Sequence, residues 1–204
     1  MTDSANQPVW HEPQVSREQL WSTHKFHGMT IWLTGLSGSG KSTIAHELAR
    51  KLTELGKFAY VLDADNVRHG LNSNLGFTND DRAENVRRMA EVAKLFASAG
   101  AITIVPIISP FASGRQFARL IHSADNLEFV EVHVATPLAD CEARDTKGLY
   151  AQVQAGANIE LSGVNAPYEA PSAPEFVLCL NGEPLDLCVE TLLRDVLLRC
   201  GMKR

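Results

Sequence analysis

Met29-Thr30-Ile31-Trp32-Leu33-Thr34-Gly35-Leu36-Ser37-Gly38-Ser39-Gly40-Lys41-Ser42-Thr43 is the stretch that decides the fold. Its first six residues are apolar or β-branched, the composition of a strand buried on both faces. Gly35 to Ser42 match G-x-x-x-x-G-K-[ST]. An amphipathic helix follows, with Ile44, Ala45, Leu48, Leu52 and Leu55 on one face and Gly56 as its stop. Strand, glycine-rich turn and helix in that order make a phosphate loop. Its glycines let backbone N–H groups turn inward around phosphate oxygens, and the helix N-terminus adds partial positive charge. Lys41 brings a full charge to the β- and γ-phosphates, and the Ser42 hydroxyl suits Mg²⁺. The expected nucleotide contacts are Gly35, Leu36, Ser37, Gly38, Ser39, Gly40, Lys41, Ser42 and Thr43.

Outward from this loop, strand and helix patterns alternate. Further strands are expected over 58–63, 102–109, 129–135 and 176–180. A long helix capped by Asn79 or Asp80 runs to Ala99, with Gly100 as its stop, and a closing helix spans 185–198. The alternation predicts an α/β fold: a P-loop NTPase-like parallel sheet with helices on both faces. Residues 1–27 read as an irregular arm holding Trp10 and Trp21, and 28–204 as the domain built on the phosphate loop. Within it, 147–174 fades into Gly, Pro and short polar pieces, the pattern of a mobile lid.

Composition narrows the function. The 204 residues are 45% hydrophobic and 21% charged, which is ordinary for a globular chain and excludes wholesale disorder. A net charge of −5 argues against nucleic acid as a partner. Cys141, Cys179, Cys188 and Cys200 have no C-x-x-C spacing, so free thiols in a reducing compartment are expected. No apolar run reaches the roughly 20 residues of a membrane helix, and no basic-then-apolar leader opens the chain. The expectation is a cytoplasmic protein with no membrane partner. An Asn-Lys-x-Asp base-reading motif is absent, which argues against a GTPase. Leu161-Ser162-Gly163 is only a fragment of a transporter-type signature. One phosphate loop, small size and a lid point to a kinase of a small molecule.

In a parallel sheet, ligands bind beyond the carboxyl ends of the strands. Asp63, Asp65, Asn66 and Arg68 follow the second strand, and Ser109 ends the third. Asp63 could hold Mg²⁺ through water, and Asp65 could orient or deprotonate an acceptor hydroxyl. Either could instead cap the next helix. Arg82 and Asn85 share a helix face, and an Arg fork matches sulfate or phosphate oxygens. Arg87 and Arg88 read more plainly as solvated helix charge. Phe77 could stack on a base or simply anchor its loop. His69, His122 and His133 lack metal-ligand spacing and read as structural or surface residues.

Taken together, GLSGSGKST at 35–43, LDADNVRHGL at 62–71, LGFTNDDRAENVRR at 75–88, AEVAKLF at 90–96, ISPF at 108–111, CEARDTKGLY at 141–150 and PYEAP at 167–171 resemble adenylyl-sulfate kinase. The resemblance covers nearly the whole chain, the Trp10-His11 arm included. It implies transfer of the ATP γ-phosphoryl group to the 3′-hydroxyl of adenosine 5′-phosphosulfate, with Mg²⁺, a homodimer and a role in sulfate assimilation. By motif position it implies that Asp65, Asn66, Arg68, Arg82, Asn85 and Ile108 line the acceptor site. Phe77 would cover one face of the acceptor adenine, and Lys147 would belong to the lid. Ser109 matches a serine described in that family as a phosphoserine intermediate. A phosphate loop that sets the γ-phosphate beside an acceptor hydroxyl favours direct in-line transfer instead, with Ser109 positioning the substrate.

The chain departs from that pattern in three places. Ala64 stands where the family has Gly, residues 151–156 replace a basic stretch, and Leu161 replaces the Phe that closes the adenine sandwich. Leu161 is therefore expected over the acceptor as an aliphatic wall. These changes leave two rivals: a kinase of the same fold acting on another nucleotide, such as cytidine diphosphoramidate, or a degenerate nucleotide-binding regulatory subunit.

Overall fold

The computed structural model describes residues 8, 9 and 11–201. Met29–Thr34 (β1) is buried at all six positions and lies at the centre of a five-stranded sheet. The other strands are Ala59–Val61 (β2), Ile102–Pro106 (β3), Glu128–Val134 (β4) and Phe176–Leu178 (β5). The order is β2-β3-β1-β4-β5, and every pairing is parallel. The helices are Arg17–His24 (α1), Lys41–Glu54 (α2), Asn79–Ser98 (α3), Ala112–Ala124 (α4), Leu138–Arg144 (α5), Leu149–Gln154 (α6) and Leu185–Cys200 (α7). A short 3₁₀ turn covers Asn66–His69.

Side chains alternate across β1 and so build two cores. Met29, Ile31 and Leu33 pack with Ile44 and Leu48 of α2 and Val189, Leu192 and Val196 of α7. Trp32 points the other way, into Val86, Met89 and Ala90 of α3 and Ala118 of α4. Helices therefore cover both faces, as a sheet of buried parallel strands requires. Thr30 is buried too, and its hydroxyl is satisfied by His122 Nε2 at 2.8 Å. Burial pushes the His122 pKa down to about 4, so this imidazole is a neutral core group.

Several element limits differ from the sequence reading. β3 stops at Pro106, three residues short of Ser109, because the chain leaves the sheet after Ile107 N–H bonds Leu33 O at 3.0 Å. β2 is an edge strand of three residues. The α3 cap is Thr78, whose hydroxyl accepts from Asp81 N–H, rather than Asn79 or Asp80. The arm is not irregular throughout. α1 carries a capping box between Ser16 and Gln19, and Trp21 is buried against Ala97 and Leu127. Trp10 lies outside the described residues. Segment 147–174 is not structureless either: it contains α6, and Tyr150, Leu161 and Ser162 are buried. The helix α4 between β3 and β4 was not read from the sequence, although it carries Phe117, Ala118, Ile121 and His122 at helical spacing.

Candidate active site

The phosphate loop turns at the carboxyl end of β1. Gly35 has φ +149°, and a Cβ there would meet the Val134 carbonyl oxygen at 2.4 Å. Gly40, the N-cap of α2, has φ +102° and sits against Leu180, which a Cβ would strike at 2.2 Å. Both positions require glycine. Thr136 Oγ1 donates to Ser39 O at 2.8 Å and Tyr150 Oη donates to Ser37 O at 2.9 Å, so the loop is held from two sides. Lys41 is buried with its ammonium on Gly35 O at 3.0 Å and Leu36 O at 2.6 Å. Burial, helped by the nearby Lys147 charge, pushes its pKa down to about 8. Ser42 Oγ donates to Asp63 Oδ2 at 3.3 Å.

A cavity of about 470 Å³ opens in front of this loop, within the usual range for small-molecule sites. Of the residues singled out from the sequence, Ser37, Gly38, Gly40, Lys41, Ser42, Thr43, Asp65, Arg68, Phe77, Arg82, Asn85, Ile108, Ser109 and Lys147 line it together. Gly35, Leu36 and Ser39 support the loop from behind. Asp63 reaches the site through Ser42, and its Oδ1 accepts from Asp65 N–H at 2.8 Å and Asn66 N–H at 3.3 Å. The capping role and the role beside Ser42 are therefore both present in Asp63. Asn66 does not line the cavity; only its backbone N–H, bonded to Asp63, ties it to the site. Arg87 and Arg88 pair with Glu84 on the α3 surface, away from the cavity.

Leu161 is not where the sequence reading put it. It is 3% exposed and packs with Cys141 and Tyr150 against Leu36 in a small separate core, not on the cavity wall. An aliphatic residue suits that place because its neighbours are apolar. Phe77 is the aromatic on the wall, 62% exposed, with the Arg68 guanidinium 4.4 Å from its ring centre.

The acceptor-side wall is assembled from distant segments. Arg82 Nε donates to Phe77 O at 2.8 Å, and Nη2 donates to Glu160 O at 2.7 Å. Burial lowers its pKa from the ordinary value without threatening its charge. Lys147 Nζ donates to Asp65 Oδ2, linking the segment after α5 to the segment after β2. Ser109 is 1% exposed, has φ +40°, and its Oγ accepts from Trp32 Nε1 at 3.1 Å. That partner is a donor and not a base, so the Ser109 hydroxyl proton is left to give.

Four contributors escaped the sequence reading. Asn72, fully buried, donates from Nδ2 to Asn85 Oδ1 at 2.9 Å, which leaves the Asn85 amide group as a donor. Arg144 and Glu183 bring charge to the cavity rim beside the phosphate loop. Asp145 has φ +25° and accepts from Tyr150 N–H and Ala151 N–H, which starts α6. Only Asp145 had a usable signal, a carboxylate ahead of a helical run.

Comparison with known proteins bears on this site. Residues 27–179 match the family model described as adenylylsulphate kinase. The adenylyl-sulfate kinase of Clostridium kluyveri is 50% identical over 184 residues, covering 90% of this chain and 91% of that protein. The structure of the Mycobacterium tuberculosis APS kinase CysC in complex with AMPPNP and APS superposes with a TM-score of 0.80 at 48% identity. It covers 84% of this chain and 98% of that one. A hexameric APS kinase from Thiobacillus denitrificans matches with a TM-score of 0.63 at 32% identity, over 84% of this chain and 29% of that one. Among the described residues no helix is long and apolar enough to cross a membrane.

Proposed function

The chain belongs to the adenylylsulphate kinase family, and we propose which of its groups carry the reaction. It is a kinase that transfers the γ-phosphoryl group of ATP to the 3′-hydroxyl of adenosine 5′-phosphosulfate, giving 3′-phosphoadenosine 5′-phosphosulfate. The observation that carries the assignment of roles is that the phosphate loop and the Asp65, Arg82, Asn85 and Ser109 wall face one cavity. A donor phosphate and an acceptor hydroxyl held there meet without crossing water, and positioning with charge stabilisation is most of what phosphoryl transfer requires.

Lys41 meets charge developing on the transferred group. Asp65, beside Lys147, orients the acceptor hydroxyl and accepts its proton. Arg82 and the Asn85 amide donate to the sulfate and phosphate oxygens, for which a planar fork is suited. Arg68 and Phe77 offer a flat surface to the acceptor base. Ser109 gives a hydrogen bond to the substrate instead of forming a phosphoserine, since its Oγ partner is the Trp32 indole N–H. Ser42 Oγ and Asp63 Oδ2, both hard oxygen donors 3.3 Å apart, fit Mg²⁺, which keeps most of its shell as water and phosphate oxygen. Held there by Ser42 and Asp63, the ion would supply positive charge to offset the negative charge of the triphosphate. A homodimer rests on the family resemblance, and a cytoplasmic location on the free thiols Cys141, Cys179, Cys188 and Cys200.

Leu161 lies in its own small core, so the departure that most favoured a different acceptor loses its force. The test is ADP release by the purified protein with ATP, Mg²⁺ and a panel of acceptors. Adenosine 5′-phosphosulfate should give the highest kcat/KM. Preference for a cytosine phosphoramidate nucleotide would overturn the substrate, and no turnover with any acceptor would favour a regulatory subunit.

A further inference from the structure

We propose that Arg115 is a positioning residue for this reaction, locking Ser109 in a left-handed backbone conformation and so fixing its hydroxyl on the acceptor wall. The proposal rests on the reading of Ser109 as an acceptor-side group. Arg115 itself is outside the cavity lining and acts through Ser109.

The guanidinium, on the first turn of α4, is 3% exposed. Its three nitrogens each hold a different part of the chain. Nε donates to Glu131 Oε1 on β4 at 2.8 Å, Nη1 to Ser109 O at 2.7 Å, and Nη2 to Glu169 O at 2.7 Å. Glu131 neutralises the buried charge, and its other oxygen is held by Arg119 at 3.3 Å. Two further bonds tie the same loops: Glu169 N–H to Pro110 O at 2.8 Å, and Ala112 N–H to Glu169 Oε2 at 2.6 Å.

This arrangement answers a question that Ser109 poses. A serine at φ +40° is disfavoured by its own Cβ, and such a conformation persists only where the surroundings over-determine it. The Ser109 carbonyl is held by Arg115 and its hydroxyl by Trp32, so the residue is clamped at both ends. Only a planar fork can reach Glu131, Ser109 and Glu169 at once; a lysine ammonium at the same place is a point charge on a flexible stem. A buried ion pair is weak evidence for stability, but here it orients a strained residue of the site.

A double-mutant cycle tests this. Arg115→Lys and Ser109→Ala are made singly and together, and kcat/KM for adenosine 5′-phosphosulfate is measured, with ATP affinity by calorimetry and a thermal melt beside it. Each single change should lower acceptor kcat/KM, Arg115→Lys by roughly tenfold to a hundredfold as expected for a misplaced group. ATP affinity should stay within about twofold, and the double variant should be no more than about twofold worse than the poorer single one. Losses that multiply, or an equal loss in ATP affinity, would make Arg115 a merely structural residue. If Arg115→Lys does not fold, Glu131→Gln replaces it: a smaller loss with the same non-additivity supports the clamp, and multiplying losses overturn it. If the wild-type enzyme is inactive on this acceptor, the functional reading fails first and the clamp falls with it.

Discussion

The donor side of the cavity and its acceptor side are built by different means. The donor side is mostly local backbone, shaped by positive φ angles within the eight residues from Gly35 to Ser42, with the Lys41 and Ser42 side chains added from the same segment. The acceptor side is side chains brought in from afar. Arg82 reaches Ser162 across 80 positions, Lys147 reaches Asp65 across 82, and Arg115 reaches Glu169 across 54. A local structure carries its geometry with it, whereas an assembled one depends on every loop that enters it. Changes on the donor side should register in ATP binding and the chemical step, without loss of loop order. Changes on the acceptor side should register as substrate binding together with loop order.

The largest effect is expected at Lys41. Lys41→Ala should keep the fold, because α2 is held by Ile44, Leu48 and Leu52 in the core, and should lower turnover several hundred-fold. One preorganised stabiliser of transition-state charge is worth about 3–4 kcal/mol. Steady-state kinetics with a circular dichroism control decide this. Near-normal kcat would break the comparison at its donor end.

Arg82→Ala comes next and probes the other half. Removing a charged donor costs roughly 1.5–3 kcal/mol, or about tenfold to a hundredfold in acceptor kcat/KM, with ATP affinity in the binary complex unchanged. Arg82 also bonds Glu160 O and Ser162 Oγ, so the variant should be cut faster by protease within 147–174. If ATP affinity drops and cleavage does not change, the two sides have been assigned the wrong way round.

This division also explains what the sequence disclosed. β1, the phosphate loop and α2 were legible because glycine spacing and helical periodicity act within a few residues. Arg82 and Asn85 were legible as a pair because they share a turn of α3. That Asn72 backs Asn85, or that Arg115 backs Ser109, was hidden, since nothing local marks a partner that only the fold brings near. Motif resemblance supplied the acceptor residues as a set, but it could not place them. Leu161 illustrates the gap: its motif position suggested a wall, and the packing put it in a small core beside Leu36. α1 and α4 carry local signals of their own, a capping box and an apolar stripe.

Leu161→Phe sharpens the comparison from that position. The larger ring must fit among Cys141, Tyr150 and Leu36, and over-packing a filled core costs about 1–3 kcal/mol. The melting temperature should fall by several degrees. Acceptor affinity should not improve. A variant that binds adenosine 5′-phosphosulfate fivefold tighter at unchanged melting temperature would return residue 161 to the cavity wall.

The smallest effect at neutral pH concerns the charge on Lys41 itself. Burial disfavours the ammonium and brings its pKa from the model-peptide value of 10.5 to about 8. A bound triphosphate favours the charged form, so nucleotide binding must raise that pKa and take up a proton. The sign follows: affinity for ATP is greatest below pH 8 and declines as pH rises through it, because above that point the free enzyme must first be protonated. With binding restricted to the protonated form, affinity falls by about twofold from pH 7 to pH 8 and by about tenfold from pH 7 to pH 9. At pH 8 calorimetry in buffers of different ionisation enthalpy should record uptake of about half a proton per ATP. Lys41→Met should bind more weakly but flatly across this range, since the group that titrates is gone. Arg82→Ala should keep the full pH dependence, because Arg82 lies on the acceptor side and stays charged throughout. A pH dependence that survives Lys41→Met and vanishes in Arg82→Ala would mean the two walls share one electrostatic site, and the division between them would not hold.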